Sequence, residues 1–125
     1  MIKIFIDTNF WLLPYIKKID IFSEIERLVP EKYEILVSES VIEELKKIQK
    51  KGNGKEKIAA EIALILIEKK AKKIPNGKNT DKLILKISEK ENMIICTNDK
   101  NLRKKLKEKS LRVIGMRGKE KLSFI

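Results

Sequence analysis

Four acidic residues occupy positions from which a folded chain could bring them together. Asp7 directly follows the β-forming run IKIFI, and Asp99 follows MIICTN. Glu44 stands early in a predicted helix, and Asp81 follows the turn-forming segment NGKNT. Clustered carboxylates repel one another unless cations neutralise them, and ligand sets made only of oxygen favour Mg²⁺ or Mn²⁺ over zinc or copper. A metal ion held this way in a basic protein is suited to hydrolysis of phosphodiester bonds.

Each acid also has a structural explanation when it is taken alone. Asp81 and Asp99 stand at the beginnings of predicted helices, where the helix dipole favours a negative side chain. Glu44 alone is typical of a surface residue. Asp7 is harder to explain, because it ends an apolar strand and a buried charge is costly unless it is paired or binds a metal. The metal site is therefore predicted by the four acids as a group.

Helical geometry separates Glu44 from its neighbour Glu43. The apolar face of their helix is formed by Val41, Ile42, Leu45 and Ile48. Because successive helical residues rotate by about 100°, Glu43 lies nearly opposite this face and points to solvent. Glu44 borders the face and can point into a cleft between the helix and the sheet.

The chain of 125 residues carries a net charge of +11, since 29 Lys and Arg residues outnumber 18 Asp and Glu residues. A field of this sign attracts polyanions, of which nucleic acid is the commonest. The alternative is compositional, because Lys, Glu and Ile are abundant in many proteins of thermophiles. The charge by itself leaves both interpretations open.

The composition excludes several kinds of site. The chain has no histidine, which excludes Ser-His-Asp and Cys-His catalysis and zinc sites that use imidazole. The single cysteine, Cys96, excludes an internal disulfide and predicts a reducing, cytoplasmic environment. No apolar run reaches the roughly 20 residues of a membrane span, and the start MIKIFID does not resemble a signal peptide.

Strands and helices alternate along the chain, which we expect to form one domain over residues 1–125. Strands are predicted at 2–7, 34–38, 93–97 and 111–116, and the tail RGKEKLSFI could add a short edge strand. Helices are predicted at 9–17, at 20–28 with Asp20 as its cap, from a cap at Ser38 or Ser40 to about 50, at about 55–73 and at 99–108. A further helix is predicted at about 81–91, with Thr80 as its cap, after a turn at 75–77. Because strands and helices alternate and several strands are continuously apolar, the sequence predicts a parallel sheet that is covered on both faces. Ligands of such folds bind at the carboxyl ends of the strands.

The chain resembles the PIN-domain nucleases over essentially its full length. The resemblance rests on IFIDTNF, VIEELKKI, TDKLILKIS and IICTNDKNLRKKL, which occur in this order. The opening FIDTNFWLLP, the following FSEIERL and the closing VIGMRGKEKL are most similar to stand-alone archaeal PIN proteins. These proteins are related to the eukaryotic PIN nucleases of ribosomal-RNA processing.

The resemblance implies a three-layer α/β/α fold whose central parallel sheet has the strand order 3-2-1-4-5. It implies that Asp7, Glu44, Asp81 and Asp99 bind Mg²⁺ or Mn²⁺ and that the metal-activated water cleaves RNA to leave a 5′-phosphate and a 3′-hydroxyl. The small polar positions that support the site correspond to Asn9 and Thr97, with Asn98 beside them. Lys82 stands where some relatives carry a second acid, so a second metal could require bound substrate.

Basic and aromatic residues near the acids are candidate RNA contacts. Phosphates could be bound by Lys100, Arg103, Lys104 and Lys105. The alternative is that these side chains form only the solvated face of an amphipathic helix. Phe10 and Trp11 could stack on bases, although packing in the core is the simpler explanation.

Three functions fit this resemblance: an RNA-processing endonuclease, a VapC-type toxin with an antitoxin protein, and a catalytically weak PIN domain that binds RNA or protein as a scaffold. A further expectation concerns the segment IAAEIALILI at 58–67, in which Glu61 is the one polar residue. A helix apolar around most of its circumference exposes a patch that usually marks an interface. We therefore expect a homodimer through the helix of residues 55–73, the alternative being that other helices of the domain cover this one.

Overall fold

The computed structural model of the protein describes residues 1–74, 82, 84–86 and 92–125. Six strands form one sheet in the order β3-β2-β1-β4-β5-β6. The strands are β1 (Ile2–Ile6), β2 (Tyr33–Ser38), β3 (Ala71–Ile74), β4 (Met93–Cys96), β5 (Arg112–Arg117) and β6 (Lys121–Phe124). All neighbouring strands are parallel except β5 and β6. The parallel sheet and the order 3-2-1-4-5 are thus confirmed, and β6 is the edge strand predicted for the tail.

Helices connect β1 to β2, β2 to β3 and β4 to β5. They are α1 (Thr8–Trp11), α2 (Leu13–Ile16), α3 (Ile21–Leu28), α4 (Glu39–Lys51), α5 (Gly54–Lys70) and α6 (Lys100–Glu108). Asp20 caps α3 through its side chain, as predicted, and Ser38, one of the two predicted alternatives, caps α4. Of the helix predicted at 81–91, residues 82 and 84–86 are helical and the others, with the predicted cap Thr80 and the turn at 75–77, lie outside the described residues. Among the helices that the structure describes, none has the length and apolar character of a membrane span.

Two predicted helices have different bounds in the structure. The prediction of one helix over residues 9–17 was wrong, because the segment divides at Leu12 into α1 and α2. Pro14 has no N–H group to donate to the carbonyl of Phe10, which prevents one continuous helix. The helix predicted to reach residue 73 ends at Lys70, and the next four residues pair with β2 instead. Ile74 precedes a proline in the sequence, a position that disfavours helical backbone.

The aromatic side chains beside Asp7 belong to the core. Phe10 is 1% exposed and Trp11 is fully buried, with the Trp11 ring 5.9 Å from the ring of Phe22. Neither ring is available to stack on a base, so the core-packing alternative is the right one. The burial of these two side chains holds α1 against the core directly after Asp7.

Helix α3 covers part of the outer edge of β6. Arg27 Nη2 donates to the carbonyl oxygen of Leu122 at 2.9 Å, and the Leu122 N–H donates to Glu24 Oε1 at 3.0 Å. One ion pair on α3 therefore satisfies both backbone groups of a residue on the edge strand. Covering an edge in this way protects it from pairing with another chain.

Candidate active site

Asp7 is held in place at the carboxyl end of β1. Its N–H donates to the carbonyl of Cys96 on the adjacent strand at 3.0 Å. Its side chain caps α1, because Oδ1 accepts a hydrogen bond from the Thr8 N–H at 2.9 Å. The other oxygen, Oδ2, accepts from the Thr97 hydroxyl at 3.0 Å. Both carboxylate oxygens thus have a fixed donor, and the side chain is only partly buried.

Thr97 connects two of the candidate acids. Its hydroxyl donates to Asp7 and accepts a hydrogen bond from the backbone N–H of Asp99 at 3.1 Å. Thr97 is fully buried, and its own N–H donates to the carbonyl of Ile114 on β5 at 3.0 Å. A single hydroxyl therefore ties the end of β1 to the segment that leads into α6.

Asp99 and Asn98 fix that segment from its other side. Asp99 caps α6, with Oδ1 accepting from the N–H groups of Asn101 at 2.9 Å and Leu102 at 3.2 Å. Asn98 Oδ1 accepts from the N–H of Met116 at 2.8 Å, which anchors the segment to β5. Capping explains why the chain carries an acid at position 99, but the second oxygen of Asp99 has no part in the cap.

Asp7, Glu44 and Asp99 meet at one cavity of about 220 Å³. The cavity is lined by Asp7, Thr8, Val41, Glu44, Asp99, Asn101, Leu102 and Lys105. Glu44 comes from the second turn of α4, one turn after the Ser38 cap. Glu43 and Glu44 are both exposed, but only Glu44 lines this cavity, which agrees with the helical placement of the two glutamates. Asp81 lies outside the described residues.

Four other sequence candidates, Asn9, Lys100, Arg103 and Lys104, do not line this cavity. Asn9 is exposed on α1, where its carbonyl accepts from the Leu12 N–H. Lys100, Arg103 and Lys104 belong to α6 but stand on faces other than the one formed by Asn101 and Lys105. A larger groove, of about 1020 Å³, lies at the beginnings of β2 and β3 and contains none of the three candidate acids that the structure describes.

Asn101 is a polar lining residue that the sequence analysis did not single out, whereas Lys105 is one of its four candidate phosphate contacts. The signal for Lys105 was present in the helical pattern. It follows the apolar Leu102 by three residues and precedes the apolar Leu106 by one, which is the spacing that Glu44 has to Val41 and Leu45. The same geometric argument therefore selects both side chains.

The donor atoms of the cavity fit a hard divalent cation. Within the described ranges, no three acidic or cysteine side chains form a group able to hold a metal ion by themselves. Mg²⁺ commonly takes one or two carboxylates and completes its six positions with water and phosphate oxygens. Any two of the carboxylates of Asp7, Glu44 and Asp99 would satisfy that mode of binding. The described lining has no sulfur or imidazole ligand for zinc.

Comparison with known proteins shows which family and which relatives the chain resembles. The family described as "PIN like domain" matches residues 4–119. Ribonuclease VapC4 of Methanocaldococcus jannaschii is 37% identical over 123 residues, which are 96% of this chain and 94% of the relative. Ribonuclease VapC9 of Archaeoglobus fulgidus is 32% identical over 108 residues, which are 86% of this chain and 78% of the relative.

A solved structure gives the same result for the fold. The PIN domain endonuclease Utp24 superposes with a TM-score of 0.75 and 23% sequence identity, over 98% of this chain and 90% of that one. The sheet order, the family match along most of the chain and the two relatives above 30% identity agree with one another. The chain belongs to the PIN-like domain family.

Proposed function

We propose that this protein is an endoribonuclease that uses Mg²⁺ or Mn²⁺ to hydrolyse phosphodiester bonds of RNA. The observation that carries the proposal is the meeting of Asp7, Glu44 and Asp99 at one cavity, although they come from three separate elements of the chain. The names of the two relatives, both ribonucleases, support the same reaction class.

Asp7, Glu44 and Asp99 would hold the metal, with Asp81 as a fourth carboxylate. When bound, the metal lowers the pKa of a water molecule and offsets negative charge in the transition state. Asp7 is oriented before substrate arrives, because Thr8 and Thr97 fix its two oxygens. Lys100, Arg103 and Lys104 on α6 would bind phosphates of the RNA strand beyond the cavity, contacts that position a strand but carry no sequence information.

A test of the reaction class compares two aspartates that both cap helices. Asp7→Asn is expected to abolish cleavage of a labelled RNA in Mn²⁺ and to weaken Mn²⁺ binding, with the fold retained, because the variant loses a charged ligand but keeps an oxygen for the Thr8 N–H. Asp20→Asn is the matched control, since Asp20 caps α3 and does not line the cavity. Undiminished cleavage by the folded Asp7→Asn protein would overturn the proposal.

A VapC-type role, with an antitoxin protein as partner, is the more specific form of this function. The relatives named VapC4 and VapC9 favour it. Processing of ribosomal RNA is the alternative biological role. Growth arrest on induction of the protein, relieved by the product of a neighbouring small gene, would support the toxin role, and growth unaffected by an active nuclease would contradict it.

We also propose that the protein forms a homodimer through α5. Ile58 and Ile65 are 43% and 51% exposed, and together with the partly exposed Ile62 they form a stripe at i, i+4 and i+7. Leu66 packs against the core instead, so a lysine there would test folding rather than association. Two-fold dimers are the commonest assemblies, and exposed apolar stripes usually mark interfaces.

Light scattering tests the dimer directly. The wild type is expected at twice the 14.6 kDa chain mass, and Ile65→Lys is expected to shift it to the monomer because a buried unpaired charge is costly. Glu56→Lys, on the opposite side of α5, should remain dimeric. A wild-type mass of one chain at micromolar concentration would exclude a stable dimer.

A further inference from the structure

Lys105 is the basic residue that shares a cavity with the candidate acids. Of the residues described, it is the one cation in the lining that also contains Asp7, Glu44 and Asp99. It forms no salt bridge with another described residue. Its positive charge is therefore not consumed by an ion pair within the described part of the chain, although three carboxylates line the same space.

The position of Lys105 on α6 directs it toward the acids. Helical side chains lean toward the amino end of their helix, and that end of α6 is capped by Asp99. Six residues separate Asp99 from Lys105, a rise of roughly 9 Å along the axis. A lysine side chain that leans back along the helix can extend across much of this distance toward the carboxylates.

The stem of Lys105 has apolar neighbours on its other side. Lys105 also lines a second cavity, of about 200 Å³, with the apolar residues Ile84, Leu85, Leu102 and Leu106 and the charged residues Glu108 and Lys109. Long cationic side chains commonly lay their methylene groups along apolar surface and keep the charge in a polar environment. The first cavity has three carboxylates and no second cation in its described lining, whereas the second has one carboxylate and one further lysine, and this difference in charge favours the first cavity for the ammonium group.

We propose that Lys105 is a catalytic residue that binds the scissile phosphate, an inference that rests on the proposed ribonuclease function. Its ammonium group donates hydrogen bonds to the non-bridging oxygens and stabilises the charge that grows on them. The water oxygen bonds to phosphorus as the bond to the 3′-oxygen breaks. The water loses a proton to solvent, the 3′-oxygen gains one from solvent, and Lys105 stays protonated throughout. This role differs from the general phosphate binding proposed for Lys100, Arg103 and Lys104.

The experiment compares two lysines of the same helical turn. Lys105 and Lys107 both stand in the last turn of α6, so their replacement by methionine removes the same charge from the same helix end. Lys107 is exposed and does not line either cavity. Single-turnover cleavage of a labelled RNA is measured at saturating Mn²⁺ and constant ionic strength for the wild type, Lys105→Met, Lys107→Met and Lys105→Arg.

Lys105→Met is expected to lower the rate constant on the order of 100-fold, as loss of one preorganised donor does in other enzymes. Lys107→Met should leave it unchanged, and Lys105→Arg should restore most of the rate. Calorimetry should show that Lys105→Met binds Mn²⁺ at least as tightly as the wild type, because a cation has left the metal's surroundings. Thermal unfolding confirms that each variant folds, and Lys105→Gln replaces the methionine variant if that one does not.

Three results would overturn the proposal. Equal rates for Lys105→Met and Lys107→Met, with an active wild type, would refute the role of Lys105 and leave the ribonuclease function standing. A wild type that binds Mn²⁺ but cleaves no RNA would refute both. Tighter Mn²⁺ binding by Lys105→Met with an undiminished rate would show that Lys105 is only a counter-charge for the carboxylates.

Discussion

Replacing Thr97 with valine removes one hydroxyl that serves both Asp7 and Asp99. Valine keeps the shape of the side chain, so the fully buried site stays filled. The variant loses the hydrogen bond to Asp7 Oδ2 at 3.0 Å and the acceptor for the Asp99 N–H at 3.1 Å. Two acids then lose their shared positioning group without any change in charge.

The cost can be worked out from these two hydrogen bonds. A bond to a charged acceptor contributes roughly 1.5–3 kcal/mol and a neutral one about 1 kcal/mol. Asp7 is only partly buried, so water replaces part of what the hydroxyl supplied. We therefore expect a loss of about 2 kcal/mol in the free energy of unfolding, which lowers the melting temperature by roughly 8 °C.

Thr97→Ser is the matched control for the hydroxyl. It keeps both hydrogen bonds and removes one buried methyl group, which costs about 1 kcal/mol. Thermal or denaturant unfolding of the metal-free proteins should rank the wild type first, the serine variant second and the valine variant third. In the RNA cleavage assay we expect the serine variant to be close to the wild type and the valine variant to be about tenfold slower, because misplaced catalytic groups lose orientation. A valine variant as stable and as active as the serine variant would show that the acids are positioned without the hydroxyl.

Three other predictions follow from the described contacts. Glu44→Gln should reduce RNA cleavage far more than Glu43→Gln, since only Glu44 lines the cavity, and equal rates would contradict its proposed role as a ligand. RNA affinity should fall steeply as the salt concentration rises in a binding assay, because a protein of charge +11 displaces counterions from phosphates. An affinity that does not change with salt would show that the positive charge does not act in RNA binding. The pKa of Glu24 lies below its usual 4.5 because of the hydrogen bond from Arg27 and then that from the Leu122 N–H. A lowered folded-state pKa contributes stability that is complete above the unfolded value and is lost as the pH falls through the folded one. Unfolding at a series of acid pH values should therefore show a weaker decline for Glu24→Gln than for the wild type, and parallel curves would contradict this.

Local signals in the sequence were sufficient for much of the site. Asp7 was recognisable because it ends an apolar strand, and Glu44 because its spacing from Val41 is a property of any helix. The Asp20 cap is likewise a short-range feature. Each of these signals lies within a few residues of the side chain that it predicts.

Features that depend on distant partners were not predictable in this way. Residues 71–74 form a strand because β2 offers them hydrogen bonds, and nothing within AKKI itself separates a strand from the end of a helix. The Arg27 contact with Leu122 joins residues 95 positions apart. Lys105 could not be distinguished from the basic residues around it until the packing of α6 was known.

The hydrogen bond between Thr97 and Asp7 spans 90 positions of the sequence. During synthesis, the amino-terminal strand, α4 and most of the helices leave the ribosome before Thr97 and Asp99 exist. Because translation adds roughly 5–20 residues per second, the growing chain spends several seconds with Asp7 exposed and its positioning hydroxyl missing. A prematurely terminated product lacks the same groups. The proposed nuclease therefore acquires its site only after residue 99 has been synthesised, so a shorter nascent chain is not yet equipped to cleave the messenger RNA from which it is being translated.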